Sequence, residues 1–176
     1  APWIFREMRM KNNIPVVQQA YPVLDKTKMT FNKNEALVLS LILRESVFDA
    51  NITSNKDAKG LMQLLESTAK IEIKKQGIII NPLNLYDPKT NVRIGTLHLN
   101  SLLKEFNGSN ILALAAYNAG AHRVKEWIKN FGHPSKIGNI KWIEMIPFGE
   151  TRNYVQRVLE NMQAYTYIED FKKIVN

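Results

Sequence analysis

The run Ala36-Leu37-Val38-Leu39-Ser40-Leu41-Ile42-Leu43 constrains the fold more than any other part of the chain, because at helical pitch it leaves almost no polar face. A helix that is apolar all round is normally a buried core helix, so this segment is expected in the interior. It is far shorter than the roughly 20 residues that cross a bilayer, and no membrane span is expected. Arg44 and Glu45 follow directly. Burial disfavours the charged form of a carboxylate, and the negative end of the helix dipole acts in the same direction. A carboxyl that keeps its proton near neutral pH is what a general acid needs. The plainer alternative is that Glu45 pairs with Arg44 or a nearby lysine, since structural ion pairs also perturb titration.

With 176 residues, the chain is long enough for one domain with a proper core and a short flanking piece. Its 45% hydrophobic and 23% charged residues suit a soluble globular protein. The absence of cysteine excludes disulfides, thiolate metal sites and a cysteine nucleophile. A net charge of +8 implies attraction to a polyanion such as nucleic acid, anionic lipid or an anionic cell-wall polymer. The lysines are spread from Lys11 to Lys173, without a helix-turn-helix, zinc-finger or RNA-binding signature. A solvated lysine-rich surface is therefore the default, and no nucleic-acid partner is expected. The opening Ala1-Pro2-Trp3-Ile4-Phe5-Arg6 has no basic segment leading into an apolar core, which predicts no signal peptide in this chain. It also lacks an initiator Met and so reads as a mature or trimmed segment.

Pro2, Pro15 and Pro22 cut the first thirty or so residues into short pieces that still carry apolar side chains. Residues 1–31 are read as a linker or docked extension, residues 32–170 as the main domain, and residues 171–176 as a tail. Asn32 or Asn34 can cap the first long helix, which is expected to end at Glu45 or Ser46. Residues 49–59 read as a polar loop, and a second helix is expected to start near Gly60. The Ile78-Ile79-Ile80 run fits a short strand or a buried loop. Asp87-Pro88 is a helix start, with Asn107-Gly108 as its end. Further helices are expected around Ile111–Ala116 and Val124–Phe131 and after Pro147, with a short piece holding Trp142, Ile143 and Met145 before the last. The class is mostly α.

Four local patterns follow one another in order: Glu45-Ser46-Val47-Phe48, Gly60-Leu61-Met62-Gln63, Ala116-Tyr117-Asn118-Ala119-Gly120, and Pro147-Phe148-Gly149-Glu150-Thr151-Arg152-Asn153-Tyr154. Each has an ordinary explanation as a cap, a helix stop, a core aromatic or a first-turn carboxylate. In this order they resemble the catalytic domain of the soluble lytic transglycosylases, lysozyme-like enzymes that cleave bacterial peptidoglycan. The resemblance runs from about Tyr21 to Tyr167 and includes Asp87-Pro88 and Asn91-Val92-Arg93-Ile94-Gly95. It implies a goose-type lysozyme-like helical domain with a substrate groove, preceded by a short helical linker from a larger parent enzyme. It also implies a periplasmic or cell-envelope location, peptidoglycan strands as partner, and neither metal nor cofactor.

By the same resemblance, Glu45 is the acid and then the base, and Ser54 supports its carboxyl or the substrate acetamido group. Gln63, with the backbone near Gly60 and Met62, forms the glycan-binding wall, and Leu65 takes the place of a substrate-facing Met. Tyr117 orients the acetamido group or Glu45, Asn118 shapes the turn, and Glu150 is a binding carboxylate of the groove. Arg152 and Tyr154 are expected to be structural or at the groove edge. Two departures stand out: Asp57 where the family usually has Gly, and Leu64-Leu65-Glu66 where its best-known type has Ile-Met-Pro. Asp tolerates left-handed backbone better than most residues. The alternatives are a hydrolytic muramidase on the same scaffold, with Asp49, Asp57 or Glu150 activating water, and a catalytically weak cell-wall-binding module.

Overall fold

The computed structural model describes residues 20–24 and 34–175. Eight helices lie among them: α1 (Glu35–Ser46), α2 (Glu66–Gln76), α3 (Pro88–Glu105), α4 (Asn110–Ala119), α5 (Ala121–Phe131), α6 (Pro134–Ile137), α7 (Asn139–Glu144) and α8 (Gly149–Val175). No strand occurs among the described residues; two isolated bridges, Thr53 to Lys59 and Lys59 to Leu64, are the only extended pairing there.

The apolar run in α1 is explained by two cores rather than one. Leu37, Val38, Leu41 and Ile42 enter the main core with residues of α3, α4, α7 and α8. Leu39 points into a smaller cluster with Tyr21, Ala164, Tyr165 and Ile168. Ser40 and Ser46 are buried in the same helix, and each hydroxyl donates to the carbonyl four residues back, to Ala36 and Ile42. Neither hydroxyl is stranded, which is the condition for burying it. α8 lies across both α1 and α4, while α4 is flanked by α3 and α5. The second cluster is where the chain before α1 attaches: the Tyr165 hydroxyl donates to the Pro22 carbonyl at 2.7 Å, and the Tyr21 and Tyr165 rings meet edge to face at 5.3 Å. The rest of the expected extension, and Asn32, lie outside the described residues. Asn34 precedes α1 but makes no side-chain cap bond.

Sequence signals at the other helix ends are visible in the backbone. The Asp87 carboxylate accepts from the Thr90 N–H at 2.8 Å, with Pro88 at the first helical position. Asn107 and Gly108 both turn left-handed after α3. Two expectations are corrected. The second helix starts at Glu66, not near Gly60, because Gly60 and Gln63 have φ of 76° and 46° and Lys59 pairs with Leu64 through both backbone bonds. A left-handed backbone at these positions closes a bridged loop and cannot propagate a right-handed helix. The Ile78-Ile79-Ile80 run is irregular rather than a strand, and it is not buried throughout: Ile79 is 93% exposed. The last helix runs on to Val175, through the segment read as a tail.

Candidate active site

An open groove of about 580 Å³ lies at the C-terminal end of α1. Glu45, Ser54, Gln63, Leu65, Tyr117, Asn118 and Glu150 all line it, and so bring together side chains from α1, the 53–65 loop, α4 and α8. Gly60 and Met62 do not reach it, being buried behind its wall. The backbone of Met62 is occupied as well: its N–H donates to Asn91 Oδ1 at 2.8 Å and its carbonyl accepts from the Tyr117 hydroxyl at 2.8 Å.

That wall is a loop folded by polar pins over small residues. Buried Asn91 on α3 uses both ends of its amide, accepting from Met62 and donating to the carbonyls of Lys59 at 2.8 Å and Leu85 at 2.7 Å. Gly60 is required twice over. Its φ is positive, and a Cβ there would lie 2.2 Å from the Leu85 carbonyl oxygen and 2.4 Å from Asn91 Nδ2. Gly95 makes room for the Met62 side chain, whose sulfur would lie 2.4 Å from a Cβ at that position.

Ser54 caps the loop from inside: its hydroxyl oxygen accepts from the N–H groups of Ala58 at 3.0 Å and Lys56 at 3.2 Å. Asp57, the departure from the family glycine, takes the left-handed conformation with φ 62°, and its carboxylate pairs with Lys59 at 3.2 Å. The Gln63 amide nitrogen donates to the Gly60 carbonyl at 2.9 Å and the Ile52 carbonyl at 3.2 Å. Leu65, at 41% exposure, gives this wall an apolar surface.

Glu45 sits in the last turn of α1, which ends at Ser46 and is followed by two left-handed residues, Val47 and Phe48. A β-branched residue with positive φ is rare. Here it ends α1. Burial raises the Glu45 pKa from the ordinary 4.5 to about 7, against the lowering effects of the Tyr154 hydroxyl and the Arg44 charge; the Glu150 charge raises it further. The Tyr154 hydroxyl donates to Glu45 Oε1 at 2.7 Å, and the Arg44 guanidinium lies 6.0 Å from the centre of the Tyr154 ring.

Tyr154 is thus the tyrosine on the carboxyl, whereas the sequence reading had it structural or at the groove edge and left Tyr117 to orient either the acetamido group or Glu45. The reason is geometric. Tyr154 lies on α8, the helix packed along α1, and its ring is buried in the core. The Tyr117 hydroxyl points instead at the loop. Burial and the nearby Glu45 carboxylate hold the Tyr117 and Tyr154 hydroxyls well above the ordinary tyrosine range, so both serve as donors. Asn118 ties the end of α4 to the start of α8, its Oδ1 accepting from the Thr151 hydroxyl at 2.7 Å. Arg152 lies 3.9 Å from Glu144.

Sequence reasoning missed His98, Phe148 and Thr151 as lining residues, and Asn91 as the pin. Phe148 and Thr151 stood within a quoted motif. His98 carried no local signal.

Comparison with known proteins gives a consistent picture. Residues 22–140 match the model of the transglycosylase SLT domain, and residues 145–170 match that of the soluble lytic transglycosylase helical domain. The soluble lytic murein transglycosylase of Escherichia coli K12 is 36% identical over 135 residues, covering 76% of this chain and 21% of that protein. Membrane-bound lytic murein transglycosylase E of Buchnera aphidicola is 27% identical over 168 residues, covering 90% of this chain and 79% of that protein. Among solved structures, an inactive mutant of the lytic transglycosylase Slt from Pseudomonas aeruginosa aligns with a TM-score of 0.73 at 32% identity, over 93% of this chain and 25% of that one. The 70-kDa soluble lytic transglycosylase of E. coli gives 0.74 at 31% identity, over 95% and 26%. The chain therefore spans about a fifth of the length of the E. coli relative. The helices described above are the lysozyme-like helical fold of these structures, and the chain belongs to the transglycosylase SLT domain family.

Proposed function

We propose that this chain is a peptidoglycan lytic transglycosylase domain that cleaves the β-1,4 bond between N-acetylmuramic acid and N-acetylglucosamine without adding water. The observation that carries this reading is Glu45: a carboxyl with a pKa of about 7, on the floor of an open groove, held by a tyrosine hydroxyl. At neutral pH about half of such groups hold their proton, which suits a residue that must give a proton and then take one.

Glu45 protonates the glycosidic oxygen as the bond to C1 of the muramic acid breaks. The 2-acetamido carbonyl oxygen of the same sugar meets the positive charge that develops at C1, as in glycosidases that rely on their substrate. Glu45, now a carboxylate, removes the proton of the C6 hydroxyl, and O6 closes on C1. The product ends in 1,6-anhydro-N-acetylmuramic acid, and Glu45 is again protonated. The cell envelope is the compartment this substrate implies, and the net positive charge suits the carboxylates of peptidoglycan.

Hydrolysis on the same scaffold needs a second carboxylate to activate water. Of the candidates named from sequence, Asp49 and Asp57 are not groove-lining residues; Asp49 accepts from the Asn51 N–H and Asp57 pairs with Lys59. Glu150 does line the groove, and it is the residue a hydrolytic reading must use.

Mass spectrometry of muropeptides released from purified sacculi tests the proposal. Products lighter by one water than hydrolytic ones, absent with Glu45→Gln, are expected. Reducing-end muramic acid would instead identify a muramidase and make Glu150→Gln the next variant. Retained sacculus binding with no products from the unmodified chain would identify a binding module.

A further inference from the structure

Outside the Glu45 site, one buried charge is spent on a residue that faces the groove. Glu72, in the middle of α2, is 1% exposed, yet it carries a carboxylate into the seam between α2 and α3. Three groups meet it there: the Ser101 hydroxyl donates to Oε2 at 2.9 Å, while Lys75 Nζ at 3.3 Å and His98 Nδ1 at 3.1 Å reach Oε1. Burial raises its pKa, but the bonds from His98, Ser101 and Lys75 outweigh this and leave it lowered, so Glu72 is a carboxylate at neutral pH. A carboxylate only accepts, so the His98 nitrogen facing it carries the hydrogen.

With Nδ1 committed to Glu72, Nε2 is the ring's remaining polar atom, and it has no protein partner among the described residues. His98 is one of the residues lining the groove, with 21% of its side chain exposed. Its ring lies on that of Tyr117, with centroids 5.2 Å apart and a tilt of 51°. The imidazole is thus fixed on two sides, by a buried carboxylate and by an aromatic ring that is itself pinned to the loop wall through the Met62 carbonyl. Second partners of this kind select the tautomer and orientation of a histidine whose other nitrogen does the work.

We propose that His98 is a specificity-determining residue of the groove, its Nε2 accepting a hydrogen bond from an amide N–H or hydroxyl of a bound N-acetylated glycan, with Glu72 as the residue that positions it. The inference rests on the reading of the groove as a glycan site. A purely structural role, with the Glu72–His98 pair only joining α2 to α3, makes different predictions.

Binding of an N-acetylglucosamine oligomer is measured on the Glu45→Gln chain, which removes turnover, with His98 followed by the 15N resonances of its ring. The Nε2 resonance is expected to move on saturation with the oligomer while Nδ1 moves little. His98→Asn, which keeps an amide near the Nδ1 position but has nothing at Nε2, is expected to bind about tenfold more weakly, and His98→Gln, which keeps a polar atom near Nε2, within about threefold of the parent. Glu72→Gln is expected to weaken binding by several-fold and to populate the other tautomer in the free protein. An Nε2 resonance unmoved by saturating oligomer, or full affinity in a folded His98→Asn chain, overturns the proposal and leaves the glycan site standing. No binding by the Glu45→Gln chain itself overturns both.

Discussion

Glu45 and Glu72 are two carboxyls that helix packing has taken out of water, and their pKa values move in opposite directions. Glu45, at the end of α1, has one hydrogen-bond donor, and burial dominates, so its pKa rises to about 7. Glu72, between α2 and α3, meets three groups, and these overcome burial and lower its pKa. Burial alone therefore does not decide whether a carboxyl in this fold is an acid or an anion. The number of donors aimed at it does, because each bond to the charged form offsets part of the lost hydration. The same chain uses the two outcomes for different ends. Glu45 is proposed to move a proton, whereas Glu72 holds the orientation of a neighbour.

The sharpest way to break this contrast is to remove the titrating group at the poorly solvated site. Glu45→Gln is expected to lower muropeptide release by about a thousandfold, within the range for losing a general acid. In the parent chain, the pH profile of the rate is expected to fall on the alkaline side through a pKa of about 7, as Glu45 loses the proton it must donate. A profile flat across that pH, or a Gln variant with near-full rates, removes Glu45 from the chemistry.

Stability against pH separates the two residues by sign. The folded pKa of Glu45 is raised, so its contribution is fully present below pH 4.5 and is lost as pH rises through about 7. Glu45→Gln is therefore expected to match the parent in strongly acid solution and to exceed it above pH 7 by up to about 3 kcal/mol, the equivalent of the shift at 1.36 kcal/mol per unit. Glu72 has the opposite sign: its contribution is present above its unfolded pKa and is lost as pH falls through the lowered folded value. Glu72→Gln is expected to be less stable at pH 7 by about 2 kcal/mol, the scale of hydrogen bonds to a charged group, and to approach the parent in acid. Urea unfolding of the three chains across pH reads both slopes. Parallel curves mean that neither carboxyl has the environment described.

The difference between the two sites also explains what could be read in the sequence. The apolar run in α1 announced a buried helix, and Glu45 at its end announced a desolvated carboxyl, because both depend on residues adjacent in the chain. The Asp87-Pro88 start and the Asn107-Gly108 stop were legible for the same reason. Glu72 was not, since His98 and Ser101 lie 26 and 29 positions away and meet it only across a helix seam. Asn91 was quoted for the resemblance, but its role as the pin of the loop depends on contacts 29 and 32 residues distant. The helix expected from Gly60 failed because apolar spacing in residues 61–65 imitates a helix that two left-handed residues prevent. Of the two roles read for Tyr117, the contact with Glu45 is made by Tyr154 instead, and only the packing of α8 on α1 tells the two tyrosines apart.

The smallest expected effect is the finest test of the comparison, because it alters the one donor that Glu45 has. Tyr154→Phe removes the hydroxyl on Oε1 and leaves the ring in the core. That bond favours the carboxylate, so its loss is expected to raise the Glu45 pKa further and move the alkaline limb of the rate profile upward. The rate at the optimum is expected to fall about fivefold, the scale of one hydrogen bond worth about 1 kcal/mol. Tyr117→Phe is the control, because its hydroxyl holds the Met62 carbonyl rather than Glu45. It is expected to destabilise the loop wall while leaving the position of the limb nearly unchanged. If the limb moves with Tyr117→Phe and not with Tyr154→Phe, the donor on Glu45 has been misassigned, and the contrast between one donor and three must be redrawn around Tyr117.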